Sequence, residues 1–165
     1  MHQIGVERAD IFANDRFYLF EGASAVGGYR SPDTESHFLA LDASDHDLGH
    51  YLRIALQQSP SLTKWLLDNA ASLTLDDAEQ SYMRWVSGVM ERFDYRSKRA
   101  LFANMKLCYA RRQEDWLRLS PTAHVRADRW AEEGFTAADD IVVSATASEQ
   151  ELGAAIRACI ARVTA

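Results

Sequence analysis

An internal repeat constrains this chain more than any other feature of its sequence. The stretch ASDHDLGHYLR, Ala43 to Arg53, returns near the end as ASEQELGAAIR, Ala147 to Arg157. Ala, Ser, Leu, Gly and Arg coincide, Asp45 and Asp47 become Glu149 and Glu151, and Leu52 becomes Ile156. In each copy a serine, Ser44 or Ser148, can cap a new helix, and the acid three residues on can reach back to it. Both acids sit at the positive end of the helix dipole. The longer Glu151 predicts the better capping box in the second copy. Leu48 and Leu152 begin the buried stripes, and Gly49 and Gly153 suit a close approach to a sheet at modest helical cost.

Strand-like segments precede both helix starts. FYLFEGASAVGGYRS, Phe17 to Ser31, reads as a two-stranded hairpin with Gly22, Gly27 and Gly28 at turns or bulges. HFLALD adds a third strand, and a helix follows from Ser44 to about Gln57 with Leu48, Leu52, Ala55 and Leu56 on one face. The second half repeats the order. Lys106 to Ser120 reads as strand, turn and strand, and Asp140 to Ala145 as a third strand. A helix from Ser148 then carries Leu152, Ile156, Cys159, Ile160 and Val163. A Ser-Pro pair follows the hairpin in each half, at Ser31–Pro32 and Ser120–Pro121.

Between the halves, a short helix is expected over Ser61 to Asn69. A longer one follows, capped by Thr74 or Asp76, with Ala78, Tyr82, Trp85, Val86, Val89 and Phe93 on one face. A further helix is expected over Arg126 to Glu133. The fold class is α+β: duplicated β-β-β-α units over 15–58 and 98–164, a helical insertion over 61–95, and mainly antiparallel sheets packed with helices. At 165 residues with three prolines, one domain over 1–165 is expected.

No secretory signal and no apolar run of membrane-spanning length is present, so a cytoplasmic protein without membrane contact is expected. Cys108 and Cys159 lie far apart with no C-x-x-C spacing, and read as small core residues. The net charge of −6 hides an asymmetry. From Arg84 to Arg129 eleven Lys and Arg face five Asp and Glu; both flanks are acidic. Acidic flanks favour a basic partner, and the basic middle can accept phosphates or balance the fold.

Three motifs invite a chemical reading. HDLGH, His46 to His50, is one methylene short of the H-E-x-x-H zinc helix, but Asp47 is short for a general base, Gly49 weakens the helix, and no third ligand motif follows. The repeat favours a plain helix start, because Gln150 and Ala154 stand at the histidine positions while the cap, leucine, glycine and arginine persist. His37 and His124 could serve as acid and base on RNA with Arg111 and Arg112 on phosphate, yet nothing in the sequence brings them together. RSKRALFANMK, Arg96 to Lys106, interleaves cations with Leu101, Phe102 and Met105 and could hold single-stranded nucleic acid through Lys98 and Arg99. Its Lys-Arg-Ala-Leu loosely resembles the basic strand of Whirly-type single-stranded DNA-binding proteins, whose duplicated plan is also similar. A solvated basic edge beside buried Leu101 and Phe102 is the plainer account. The glycines match no nucleotide-binding loop.

FYLFEGASAVGGYRSP, SKRALFANMKLC, SPTAH and DDIVVSATASEQELGAAIR together resemble the ordered segments of the immunity proteins of bacterial contact-dependent growth inhibition (CDI) systems. The resemblance spans most of the chain. It implies a non-catalytic cytoplasmic protein, without cofactor or metal, that binds the C-terminal toxin domain of a matching delivered effector. Such toxins are commonly nucleases, often acting on transfer RNA. It implies no direct nucleic-acid contact and leaves a homodimer open. Complementary charge then makes the acidic flanks the contact candidates: Asp76, Asp77 and Glu79, Glu132 and Glu133, and Asp139 with Asp140.

Overall fold

The computed structural model describes residues 5–25 and 29–164. The repeat becomes a two-fold plan. The first unit is β1 (Glu7–Ala13), β2 (Tyr18–Ala23), β3 (Ser36–Leu39) and α1 (Asp45–Asn69). Inserted after it are α2 (Leu75–Phe93) and α3 (Lys98–Phe102). The second unit is β4 (Lys106–Gln113), β5 (Trp116–Pro121), β8 (Ile141–Ser144) and α4 (Glu149–Arg162), interrupted by the hairpin β6 (Ala123–Arg126) and β7 (Arg129–Ala131). One six-stranded sheet has the order β3-β2-β1-β4-β5-β8, and all five pairings are antiparallel. The order is a palindrome of the two units about the β1/β4 pair. The fold is thus α+β, with antiparallel sheet packed against helices.

Several elements differ from the sequence expectations. The hairpin expected over Phe17 to Ser31 is instead formed by β1 and β2, with Ala13 opposite Tyr18. Asn14 folds the connection, its Oδ1 accepting from Arg16 N at 2.8 Å and Phe17 N at 3.0 Å. The first unit therefore begins at Glu7, ahead of the expected 15. Gly27 and Gly28 lie outside the described residues; Gly22 lies within β2, where an added Cβ would meet the Ala55 carbonyl of α1. The two helices expected over Ser44–Gln57 and Ser61–Asn69 are one, α1, which runs through Pro60. The helix expected over Arg126 to Glu133 is the β6–β7 hairpin, turning at Ala127 with φ +39°. The Whirly-like basic strand is the short helix α3, capped by Ser97.

The helix starts behave as their sequences imply. Ser44 accepts from Asp47 N at 3.1 Å. Ser148 makes the same bond to Glu151 N, and Glu151 Oε2 also accepts from Ser148 N, completing the box only in the second copy. The glycines serve a different purpose from the expected approach to the sheet. A Cβ on Gly49 would collide with the backbone of Glu149, and one on Gly153 with the backbone of Asp45. The two helices cross at their first turns, each glycine holding the start of the other helix. The repeated arginines tie the crossing reciprocally: Arg53 donates to the Ala147 carbonyl and Arg157 to the Ala43 carbonyl. Arg157 also pairs with Asp45 at 2.5 Å.

The two faces of the sheet are covered to different extents. Ile11, Phe20, Leu117 and Leu119 point at α1 and α4 and meet Leu48, Leu52, Leu56, Leu152 and Ile156 in a core of almost fully buried side chains. Cys108 and Cys159 join this core as free thiols, and the contact between them together with burial pushes the Cys108 thiol well up. The opposite face is apolar over one half only, where Phe12, Leu19 and Leu107 pack with Val86 and Val89 of α2 and Leu101 and Phe102 of α3. On the other half the outward residues are polar: Asp10 lies opposite Glu21 on β2 and Tyr109 on β4. Burial raises the Asp10 carboxyl to about 6, only partly offset by the nearby Arg30 guanidinium.

Gly49→Ala or Gly153→Ala should each destabilise the protein by more than about 2 kcal/mol, because backbone must move to admit the methyl. Gly88→Ala, on α2 with open space around it, should stabilise by about 0.5–1 kcal/mol. Urea midpoints of the three variants check both. Because the folded state raises the Asp10 value, it holds that proton more tightly than the unfolded chain does. This contribution is complete below pH ~4 and is lost as pH rises through about 6. Asp10→Asn should therefore gain on the order of 2 kcal/mol over the parent at pH 7 and little at pH 4, in urea titrations at the two values.

Candidate functional site

The acidic candidates are spread over three places. Thr74 caps α2, and Asp77 completes a capping box with it, which holds the Asp77 carboxyl below its usual value. Asp76 accepts from Gln80 at 2.8 Å, and Glu79 is exposed on the next turn. Glu132 and Glu133 follow β7 in an exposed turn that includes Gly134 at φ +90°. Asp139 closes a second capping box with Thr136 in a 3-10 turn over Ala137–Asp139. Asp140 is ion-paired with Arg118 at 2.9 Å. Asp77, Asp139 and Asp140 therefore shape their own segments, whereas Glu79 and Glu133 are exposed and can meet a partner without loss of a local bond, and Glu132, also exposed, stands beside Arg8.

The histidines of HDLGH converge on one acid of the other repeat. His46 Nε2 lies 2.8 Å from Glu149 Oε2 and His50 Nδ1 lies 3.1 Å from Glu149 Oε1, with the imidazoles stacked 6.3 Å apart. Each carboxylate oxygen is thus engaged by one ring, giving a clasp across the helix crossing. Among the described residues no cluster of three or more His, Cys, Asp and Glu has metal-holding geometry. His37 and His124 stand on different sheets, the first on β3 near Glu35 and Tyr51, the second on β6 stacked on Trp130 at 4.9 Å. They form no acid–base pair.

The basic segment is committed to the fold more than its sequence implies. Lys98 Nζ pairs with Asp128 at 2.8 Å and lies over the Tyr82 ring, and Tyr82 also donates to Asp128. This cluster raises Tyr82 to about 12, mainly through burial, and lowers Asp128 through its bonds to Lys98 and Tyr82. Leu101 and Phe102 are buried, as expected of a basic edge, so Phe102 presents no face for stacking on a base. Arg99 and Arg126 remain exposed along a shallow groove floored by Phe102.

A deeper feature was not read from the sequence. A cleft of about 450 Å³ opens over β1 and β4, walled by Tyr29, Arg30, Ser31 and Thr34 ahead of β3 and by Glu132. Asp10, Arg30, Tyr109, Arg8 and Arg111 line it. Behind Arg30, Glu21 is 1% exposed, ion-paired with that guanidinium and accepting from Ser36 Oγ at 2.6 Å. Arg30 also lies 4.7 Å above the Trp85 ring, and burial depresses its value to about 10. The alternation of charges in ERADIFA was the available signal, but its meaning depends on the register of three strands.

Among the described residues no helix is long and apolar enough to cross a membrane. The family model of the CDI immunity protein matches residues 7–163. Immunity protein CdiI-YPIII of Yersinia pseudotuberculosis serotype O:3 (strain YPIII) is 32% identical over 149 residues, covering 82% of this chain and 84% of that protein. The fold is similar to a chain solved in a CdiA-CT/CdiI toxin and immunity complex from Yersinia pseudotuberculosis, with TM-score 0.84 and 24% identity over 98% of this chain and 99% of that one. It is also similar to a Neisseria meningitidis protein described as of unknown function, with TM-score 0.78 and 24% identity over 99% and 98% of the two chains. With a family match that runs from the first strand of the sheet to the end of the last helix, the chain belongs to the CDI immunity protein family.

Proposed function

We propose that this protein acts in the cytoplasm as a non-catalytic inhibitor, binding and neutralising the C-terminal toxin domain of its cognate CDI effector. The observation that carries the reading is the 32% identity to an immunity protein over most of both chains. The toxin is a nuclease in this reading. A nuclease needs cationic groups for its phosphate substrate, and an acidic partner, here of net charge −6, meets those groups with fast encounter and complementary specificity. Transfer RNA is the substrate class expected of it. The contact surface is assigned to the acidic flanks: Asp76, Asp77 and Glu79, Glu132 and Glu133, and Asp139 with Asp140. Glu79 and Glu133 are its cleanest probes, since both are exposed and neither caps a turn.

Co-expression with the toxin domain tests the role. Cells carrying both should grow, purified protein should bind the toxin with nanomolar affinity or tighter, and toxin-induced cleavage of transfer RNA should cease on addition of one equivalent. Growth arrest despite soluble expression of both partners would sink the inhibitor reading. DNA cleavage in place of transfer RNA cleavage would overturn only the substrate class. Glu79→Lys with Glu133→Lys should slow association about tenfold at low salt, lose most of that effect at high salt, and leave thermal stability unchanged. Stopped-flow measurements at two ionic strengths check it; an unchanged association rate would remove these acids from the interface.

A further inference from the structure

Arg8 on β1 and Arg111 on β4 are direct cross-strand partners, and Arg111 is in turn opposite Arg118 on β5. Cross-strand partners project from the same face, so three arginines form a row across the sheet on its polar side. Like charges placed so are mutually destabilising; burial first, and Arg111 after it, lower the value of Arg8. Most charged neighbours in the sheet have an answer. Arg118 is ion-paired with Asp140 at 2.9 Å, and Arg112, on the opposite face, with Glu7 at 2.9 Å. Among the described residues, neither Arg8 nor Arg111 has a carboxylate within ion-pair distance, and Arg8 Nε is buried without a hydrogen-bond partner. Both residues line the cleft. A like-charge pair that lines a cavity, with a buried donor of Arg8 left unpartnered, departs from what a stable framework alone would carry.

We propose that the Arg8–Arg111 pair is a receptor for a carboxylate group, entering the cleft and accepting hydrogen bonds from both guanidiniums. A planar carboxylate matches the fork of an arginine, and two forks side by side can engage both of its oxygens. Asp10 and Glu132 also line the cleft, so its cationic surface is confined between two carboxylates, which leaves room for one small planar anion against the two arginines. Glu132 lies close enough to raise the value of Arg8, so it competes for the same guanidinium from outside. Tyr109 supplies a further donor at the same wall.

The ligand can be the acidic side chain of a partner protein or a free organic acid, and two probes separate them. N-acetylglutamate N-methylamide mimics a glutamate in a chain, and succinate represents free acids. In NMR titrations of the isolated protein at constant ionic strength, the Arg8 and Arg111 Nε–H resonances should shift with at least one probe, with Kd in the millimolar range. The blocked glutamate binding first assigns a protein side chain; succinate binding first assigns a small molecule. Arg111→Gln should weaken binding about tenfold, and Glu132→Gln should strengthen it about two- to threefold by removing the competing anion. Unchanged circular dichroism and melting temperature of both variants exclude unfolding as the cause. Failure of both carboxylates to shift these resonances, equal or tighter binding of inorganic phosphate, or full binding by the Arg8→Gln, Arg111→Gln double variant would each overturn the proposal. None of these measurements involves a toxin, so their outcome is independent of the inhibitor reading.

Discussion

The crossing of two helix starts organises the molecule. Where Gly49 passes Glu149 and Gly153 passes Asp45, each helix lacks a side chain at the point of contact, and the backbones approach as no larger residue permits. That approach sets the depth at which α1 and α4 lie on the sheet, and so places Leu48, Leu52, Leu152 and Ile156 against β1, β2, β4 and β5. Arg53 and Arg157 then satisfy carbonyls just ahead of the opposite helix. Caps, close contact and arginine clamps act on the same few residues, which is why an eleven-residue motif survives in both halves while their loops diverge.

The far side of the sheet shows what the symmetry leaves undone. Helices α2 and α3 cover only the half where Phe12, Leu19 and Leu107 emerge, and Trp85 and Trp130 flank Phe12 there. The other half keeps Asp10, Glu21 and Arg30 in or near a cleft. Removing such charges from water costs more than their pairing returns unless the geometry is good, and the raised Asp10 value reports part of that cost. A framework selected for stability alone would carry apolar residues at these positions. The duplicated side supplies the stability and the inserted side carries the departures from it.

The sequence made some of this legible and concealed the rest for physical reasons. The helix starts were readable because serine, acid, leucine and glycine each have a local job, and the cap contacts match them, including the stronger box at Ser148. The buried stripes of α1 and α4 followed from helical spacing. β1 was missed because ERADIFA mixes charge with apolar residues on both faces of a central strand, where an alternation signal assumes one wet face. A helix is expected over Arg126 to Glu133 near Trp130, but Ala127 in a left-handed turn with Asp128 beside it closes a hairpin instead. Two helices are expected over Ser44–Gln57 and Ser61–Asn69, yet α1 continues through Pro60 while Ser59 binds β1 and β2 through Arg8 N and the Ala23 carbonyl. The cleft was invisible for a different reason. Arg8 and Arg111 are far apart in sequence and meet only through register, which no local pattern encodes.

The reciprocal glycines also make the two units equivalent partners. Each accommodates backbone contributed by the other unit, so two separate copies of a single β-β-β-α unit could make the same contact around a true two-fold axis, with β1 of one unit beside the corresponding strand of the other. Within one chain the two units therefore hold each other as the subunits of a two-fold dimer do, and their sequences differ where the contact asks for no identity. His46 and His50 against Gln150 and Ala154 mark one such divergence, and the helices and hairpin added to one side of the sheet mark another.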